Sequence, residues 1–198
     1  MEQSMRAQLR QATVDAHERI ECGLQYLVSP TLTRSSYGRL LEAFHGYYSP
    51  LDQRLTAAAE RLAEPLRFWA IPSRTPLLAL DLHRLGRDDR GISALPIAVA
   101  ELPSIDSDAN ALGALYVVEG AALGGQVIWR AVAKTLGIRP ATGCAFFYGR
   151  GTATCSRWRQ FLTLLEGRPA SEHAHIAGAA RACFEGLEAW LRGRGCLA

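Results

Sequence analysis

The stretch Leu112-Gly113-Ala114-Leu115-Tyr116-Val117-Val118-Glu119-Gly120-Ala121-Ala122-Leu123-Gly124-Gly125-Gln126-Val127-Ile128 decides how this chain is read. Apolar residues fill almost every position, which suggests a buried or membrane helix, yet four glycines interrupt it. Each interior glycine costs a helix roughly 0.5–1 kcal/mol relative to alanine, so the four together cost about 2–4 kcal/mol. Something must offset that cost. One explanation is close helix–helix packing through the bare backbone. The other is that a flat ligand lies against it, with Gly124-Gly125 letting the helix bend over the ligand. A membrane span over Ala109–Trp129 is rejected. Glu119 lies near its middle, where a charge costs roughly 2.5–3.5 kcal/mol, and Asn110 and Gln126 add polarity.

Working outward, the helix is expected from about Asp108 to Leu136, stopped by Gly137 with Pro140 beyond. Upstream, Ser4 caps a first helix whose Leu9, Ala12, Ala16, Ile20 and Leu24 recur at helical spacing. Thr33 or Ser35 opens a second helix that carries Leu40 to Leu62, with Pro50 expected to kink or divide it. Pro76 fits the first turn of a short helix ending near Gly86. Arg87–Asp108 reads as loop with one helical turn, and Arg139–Thr152 as glycine-punctuated loop. Helices near Cys155–Glu166 and Ser171–Leu191 complete the chain. No run alternates with period two for long enough to build a sheet, so the expectation is an all-α single domain over residues 1–198.

Composition agrees. The chain has 198 residues, 48% of them hydrophobic and 21% charged, with a formal net charge of +3. That suits one domain and excludes a disordered chain. The small basic excess is spread along the sequence, which argues against nucleic acid and suits docking of an acidic protein. The five cysteines include no CxxC pair and no metal-finger spacing. Met1–Leu9 has no basic-then-apolar leader pattern, and a cytoplasmic protein without a membrane partner is expected.

Among the histidines, His17 stands two turns, about 10 Å of helix rise, after Arg10, so the two share a face. Glu21 is one turn further and can orient the imidazole. The pattern fits a metal ligand with a cation set to meet a carboxylate, but on its own it more often marks a surface or core histidine beside solvated charges. His45 and His83 read as ordinary histidines, and His173 and His175 as members of a solvated first helical turn. A di-iron centre needs two Glu-x-x-His motifs. Glu42 to His45 has this spacing, and the reading is set aside.

These segments together resemble a known family. Leu9–Glu21, with His17, resembles the proximal helix of the heme oxygenases, and Leu115–Ile128 resembles their glycine-rich distal helix. The nearest likeness is to the bacterial biliverdin-producing enzymes associated with phytochromes, in order from Arg6 to about Leu191. The resemblance implies a multi-helix fold with heme between the two helices. His17 would ligate the iron, supported by Glu21, while Gly120, Gly124 and Gly125 would approach the porphyrin. Arg10 and Arg159 would hold the propionates, with Thr163 standing where a further basic residue is common. Tyr116 and Phe184 would line the pocket. Ala121 stands where many members carry an aspartate that orders water over the iron. The implied reaction opens heme b, both substrate and prosthetic group, to biliverdin, CO and ferrous iron. It consumes O2 and electrons from an acidic ferredoxin or reductase, with a phytochrome as a possible acceptor of biliverdin. The alternative is a heme carrier or sensor on the same fold.

Overall fold

Side-chain caps fix where the helices begin in the computed structural model, which describes residues 4–62, 64, 66–69 and 74–197. Met1–Gln3 and Ala198, the ends of the expected domain, lie outside the described residues. Ser4 accepts a hydrogen bond from the Ala7 amide and starts α1 (Met5–Gly23). Thr33 and Ser36 form a reciprocal capping box at the start of α2 (Arg34–Ala59). Two short helices, α3 (Leu66–Trp69) and α5 (Asp89–Ser93), flank α4 (Arg74–Arg84). Ser107 caps α6 (Asp108–Leu136) through the Asn110 amide, and Gly137 ends it in the left-handed region at φ 69°. A single turn, α7 (Ala145–Tyr148), then leads into α8 (Thr154–Glu166) and α9 (Ala170–Gly193). No strand occurs among the described residues.

Pro50 does not divide α2, one of the two outcomes expected of it: the helix runs through it unbroken. A proline withdraws the donor that would bond the carbonyl four residues earlier, here that of Gly46. The Ala98 amide supplies the missing bond at 2.9 Å. The Pro96 backbone and Trp190 lie where a Gly46 Cβ would stand. A distant loop therefore compensates for the proline.

The core gathers around α9, which packs against α6 on one side and α1 on the other. Tyr47 donates to the Cys183 carbonyl at 2.9 Å and Trp190 to the Ala43 carbonyl at 2.7 Å, fastening α2 to α9. Arg19 on α1 makes a bidentate pair with Glu188 at 2.9 and 3.0 Å. The α6 helix is long and apolar enough to cross a membrane by length and composition. Just over half of its apolar stretch is buried, with α9, α7 and α8 packed against the helix, and Glu119 is ion-paired.

The stretch read as loop after α6 is more ordered than expected, because a buried carboxylate organises it. Asp81 on α4 accepts the Ala145 and Phe146 amides at 2.7 and 2.8 Å, starting α7. Phe146 and Phe147 then join Phe44 and Tyr48 in an aromatic cluster. Burial raises the Asp81 pKa to about 6 despite these two hydrogen bonds. With the folded value above the unfolded one, the native state binds the proton more tightly, so this group adds stability as pH falls from about 6 toward 4. Asp81→Ala strands both amides in the interior and is expected to cost about 2 kcal/mol at pH 7. The deficit against wild type should widen at pH 5, as urea melts at the two pH values would register. A deficit that shrinks on acidification would contradict the assignment.

Candidate functional site

The helices α1 and α6 are both held by α9 but barely touch each other. They meet where the Tyr116 phenol comes within hydrogen-bonding reach of the Thr13 hydroxyl, with Arg6 and Arg10 close enough to act on it. Burial dominates there and raises the Tyr116 pKa. Further along, residues 25–28 after α1 pack on α6, and Arg34 reaches the Leu136 carbonyl at 3.4 Å. Both helices therefore run in the same direction from the Thr13–Tyr116 contact. One turn beyond it come His17 on α1 and Gly120 on α6. Ala121 and Gly124 follow on α6, and both are exposed.

His17 has neighbours on two sides and is open on a third. Its side chain is 51% exposed, with the Glu21 carboxylate 3.6 Å from Nδ1. Its ring meets the edge of Phe184 at 5.4 Å between centroids, nearly perpendicular. Nε2 has no hydrogen-bond partner among the described residues. A carboxylate on one ring nitrogen and a free second nitrogen is the arrangement of an oriented metal-ligating histidine.

The glycines of α6 divide into two groups. A Cβ on Gly113 would stand 2.5 Å from the Ala179 side chain, and one on Gly125 would stand 2.6 Å from the Phe147 carbonyl oxygen. These two absences of a side chain are explained by packing against α9 and α7. Gly124 is different: nothing lies within 4 Å of its missing Cβ. At Gly120 only the Trp158 ring is near, at 3.5 Å. Packing therefore accounts for Gly125, which the resemblance had placed at the porphyrin, while Gly120 and Gly124 leave a bare surface. That surface fits a flat group, and a side chain at Gly124 would occupy its space.

Trp158 is the contact that the sequence reading missed. It lies beside Gly120 and against Tyr116, 5.4 Å between centroids. Arg159 follows it, exposed, with Nε turned to the Cys155 carbonyl at 3.4 Å. Arg10 and Arg159 have no acidic partner among the described residues, so both are available to an anionic ligand.

The other candidates are occupied elsewhere. Glu119 faces α8 and holds Arg157; Gln126 bonds the Tyr148 carbonyl and accepts from Trp129. Neither turns toward the gap. Glu42 pairs with Arg87, and His45 is buried with Nδ1 unpartnered and its pKa lowered by burial, so the two are not set around one ion. His83 bonds the Arg87 carbonyl and faces Asp89. His173, expected in a solvated turn, is instead buried, with Nε2 at 3.1 Å from the Arg168 carbonyl oxygen.

Comparison with known proteins addresses the chain as a whole. The family model described as heme oxygenase matches residues 3–192. A heme oxygenase of Xanthomonas campestris pv. campestris is 30% identical over 160 residues, spanning 79% of this chain and 89% of that protein. The solved heme oxygenase of Leptospira interrogans superposes with a TM-score of 0.78 at 19% identity, covering 96% of this chain and all of that one. Heme oxygenase-1 of the cyanobacterium Synechocystis sp. PCC6803, solved in complex with heme, gives a TM-score of 0.70 at 15% identity. That match covers 96% of this chain and 92% of the other.

Proposed function

The chain belongs to the heme oxygenase family, and on that premise we propose that it opens heme b to biliverdin with release of CO and ferrous iron. It would use O2 and electrons from an acidic ferredoxin or reductase. The observation that carries this reading is the half-exposed His17 with a free Nε2, across the gap from the bare surface at Gly120 and Gly124. Bound heme supplies the iron at which oxygen is reduced and the ring that is oxidised.

The protein contributes position and exclusion. His17 offers Nε2 to the iron, while Glu21 and Phe184 hold the imidazole plane. Gly120 and Gly124 let the substrate lie close against the α6 backbone. Arg10 and Arg159 offer guanidiniums to its carboxylates as charge-assisted donors. No acidic side chain of α6 faces the substrate, because Glu119 is turned to Arg157 and position 121 is alanine. Protons must then arrive through water held by backbone carbonyls, which bridges nearly as well as a direct partner.

The reading is tested by single-turnover oxidation of added hemin under air. A ferredoxin–reductase system supplies electrons and catalase removes free peroxide. The expected result is loss of the Soret band with growth of biliverdin absorption. A Soret band that persists in the natural protein but is lost in Ala121→Asp would reassign it as a heme carrier on this fold. A phytochrome is the proposed acceptor of the product.

A further inference from the structure

Behind α6, on the side away from Gly124, lies a cavity of about 270 Å³ between α4, α6 and the start of α8. We propose that it is a binding site for a small carboxylate anion with an apolar body. The reading is independent of what binds between α1 and α6.

Charge comes first. Arg74, Arg150 and Arg157 all line the cavity, against the single carboxylate of Glu119. Arg157 grips Glu119 with Nε and Nη2 at 2.9–3.0 Å and stacks on the Trp69 ring at 4.1 Å. Arg74 donates to the Val118 carbonyl at 2.8 Å and also acts on the Asp52 carboxylate, which lies outside the cavity lining. Arg150 has no carboxylate partner among the described residues. Burial first, then Arg157 and Arg74, pull its pKa below the usual guanidinium value, while Glu119 pulls the other way. Like charges held together in a partly enclosed space repel one another more strongly than in water. An anion relieves that repulsion, and a carboxylate matches the guanidinium fork with two parallel hydrogen bonds.

The apolar half of the ligand follows from the opposite wall. Leu115, Val118 and Ala122 of α6 face Trp69 and Leu77 across the cavity. At about 30 Å³ per liquid water, the space holds roughly nine waters, enough for one ring but below the usual size of larger ligand pockets. Water against such a wall is poorly partnered, and a ring that displaces it gains by the hydrophobic effect. Inorganic phosphate would satisfy the arginines and leave this wall wet.

The test is calorimetric titration of the full-length protein with benzoate and, separately, with inorganic phosphate. Benzoate should bind saturably at one site and more tightly than phosphate. Arg150→Gln, at an exposed position, should weaken benzoate by roughly tenfold or more, whereas Arg181→Gln should titrate as wild type. Benzoate should bind equally before and after loading with hemin. Lack of saturation, equal affinity in Arg150→Gln, or phosphate binding the tighter would each overturn the proposal. Displacement of benzoate by hemin would do so as well, since it would place the anion between α1 and α6.

Discussion

Replacing His17 with alanine should remove the iron ligand and nearly all heme turnover while leaving the apo-protein as stable as before. The first expectation follows from the free Nε2 and the carboxylate at 3.6 Å from Nδ1. The second follows from exposure: a side chain that is 51% exposed and has one edge contact contributes little to the core. Surface replacements of this kind usually stay within about 0.5 kcal/mol. The ferric heme spectrum should change, and added imidazole should restore part of the activity because the vacated space opens to solvent. Glu21→Gln should act in the same direction but more weakly, by roughly tenfold, since it only orients the ring. Unchanged spectra in His17→Ala would overturn the ligand assignment. Among the other histidines, His45 is buried and His83 and His173 hold backbone carbonyls, while His175 is exposed on α9.

What the sequence made legible is what neighbouring residues decide among themselves. The bounds of α6 fall where expected, at Asp108 and before Gly137, because a cap such as Ser107 and a left-handed stop act within one helical turn. The periodicities of α1 and α9 likewise depend on residues three and four apart. Hidden features depend on partners far along the chain. Pro50 does not break α2 because Ala98 bonds the carbonyl that it orphans. The segment read as loop after α6 contains a helical turn because Asp81, on another helix, receives its amides. His173 is buried by what α9 meets, which its own turn does not reveal. The site was half legible. His17 and Arg10 of the proposed site stand at readable spacing and Arg159 follows from the family resemblance, whereas Trp158 enters only through folding.

The glycines carry this distinction furthest, because Gly124 and Gly125 are the same residue, adjacent, and indistinguishable in the sequence. Turned about 100° apart on α6, they face different surroundings. A methyl on Gly125 would approach the Phe147 carbonyl oxygen at 2.6 Å, against backbone that has little freedom to yield. Gly125→Ala should therefore lose about 1–3 kcal/mol through overpacking, with or without hemin. Gly124 has open space at its missing Cβ. Gly124→Leu should raise the melting temperature of the apo-protein, because leucine is the better helix former by about 0.5–1 kcal/mol. The same side chain would fill the space over which the substrate lies, so hemin affinity and turnover should both fall sharply. Stability and function would then move in opposite directions at one position and together at its neighbour. Paired thermal melts and hemin titrations of the two variants measure this directly. If Gly124→Leu binds and degrades hemin as wild type does, the bare surface is not the substrate side of α6. If instead it melts lower in the apo form, the cost of its glycine is offset by packing, as at Gly113 and Gly125.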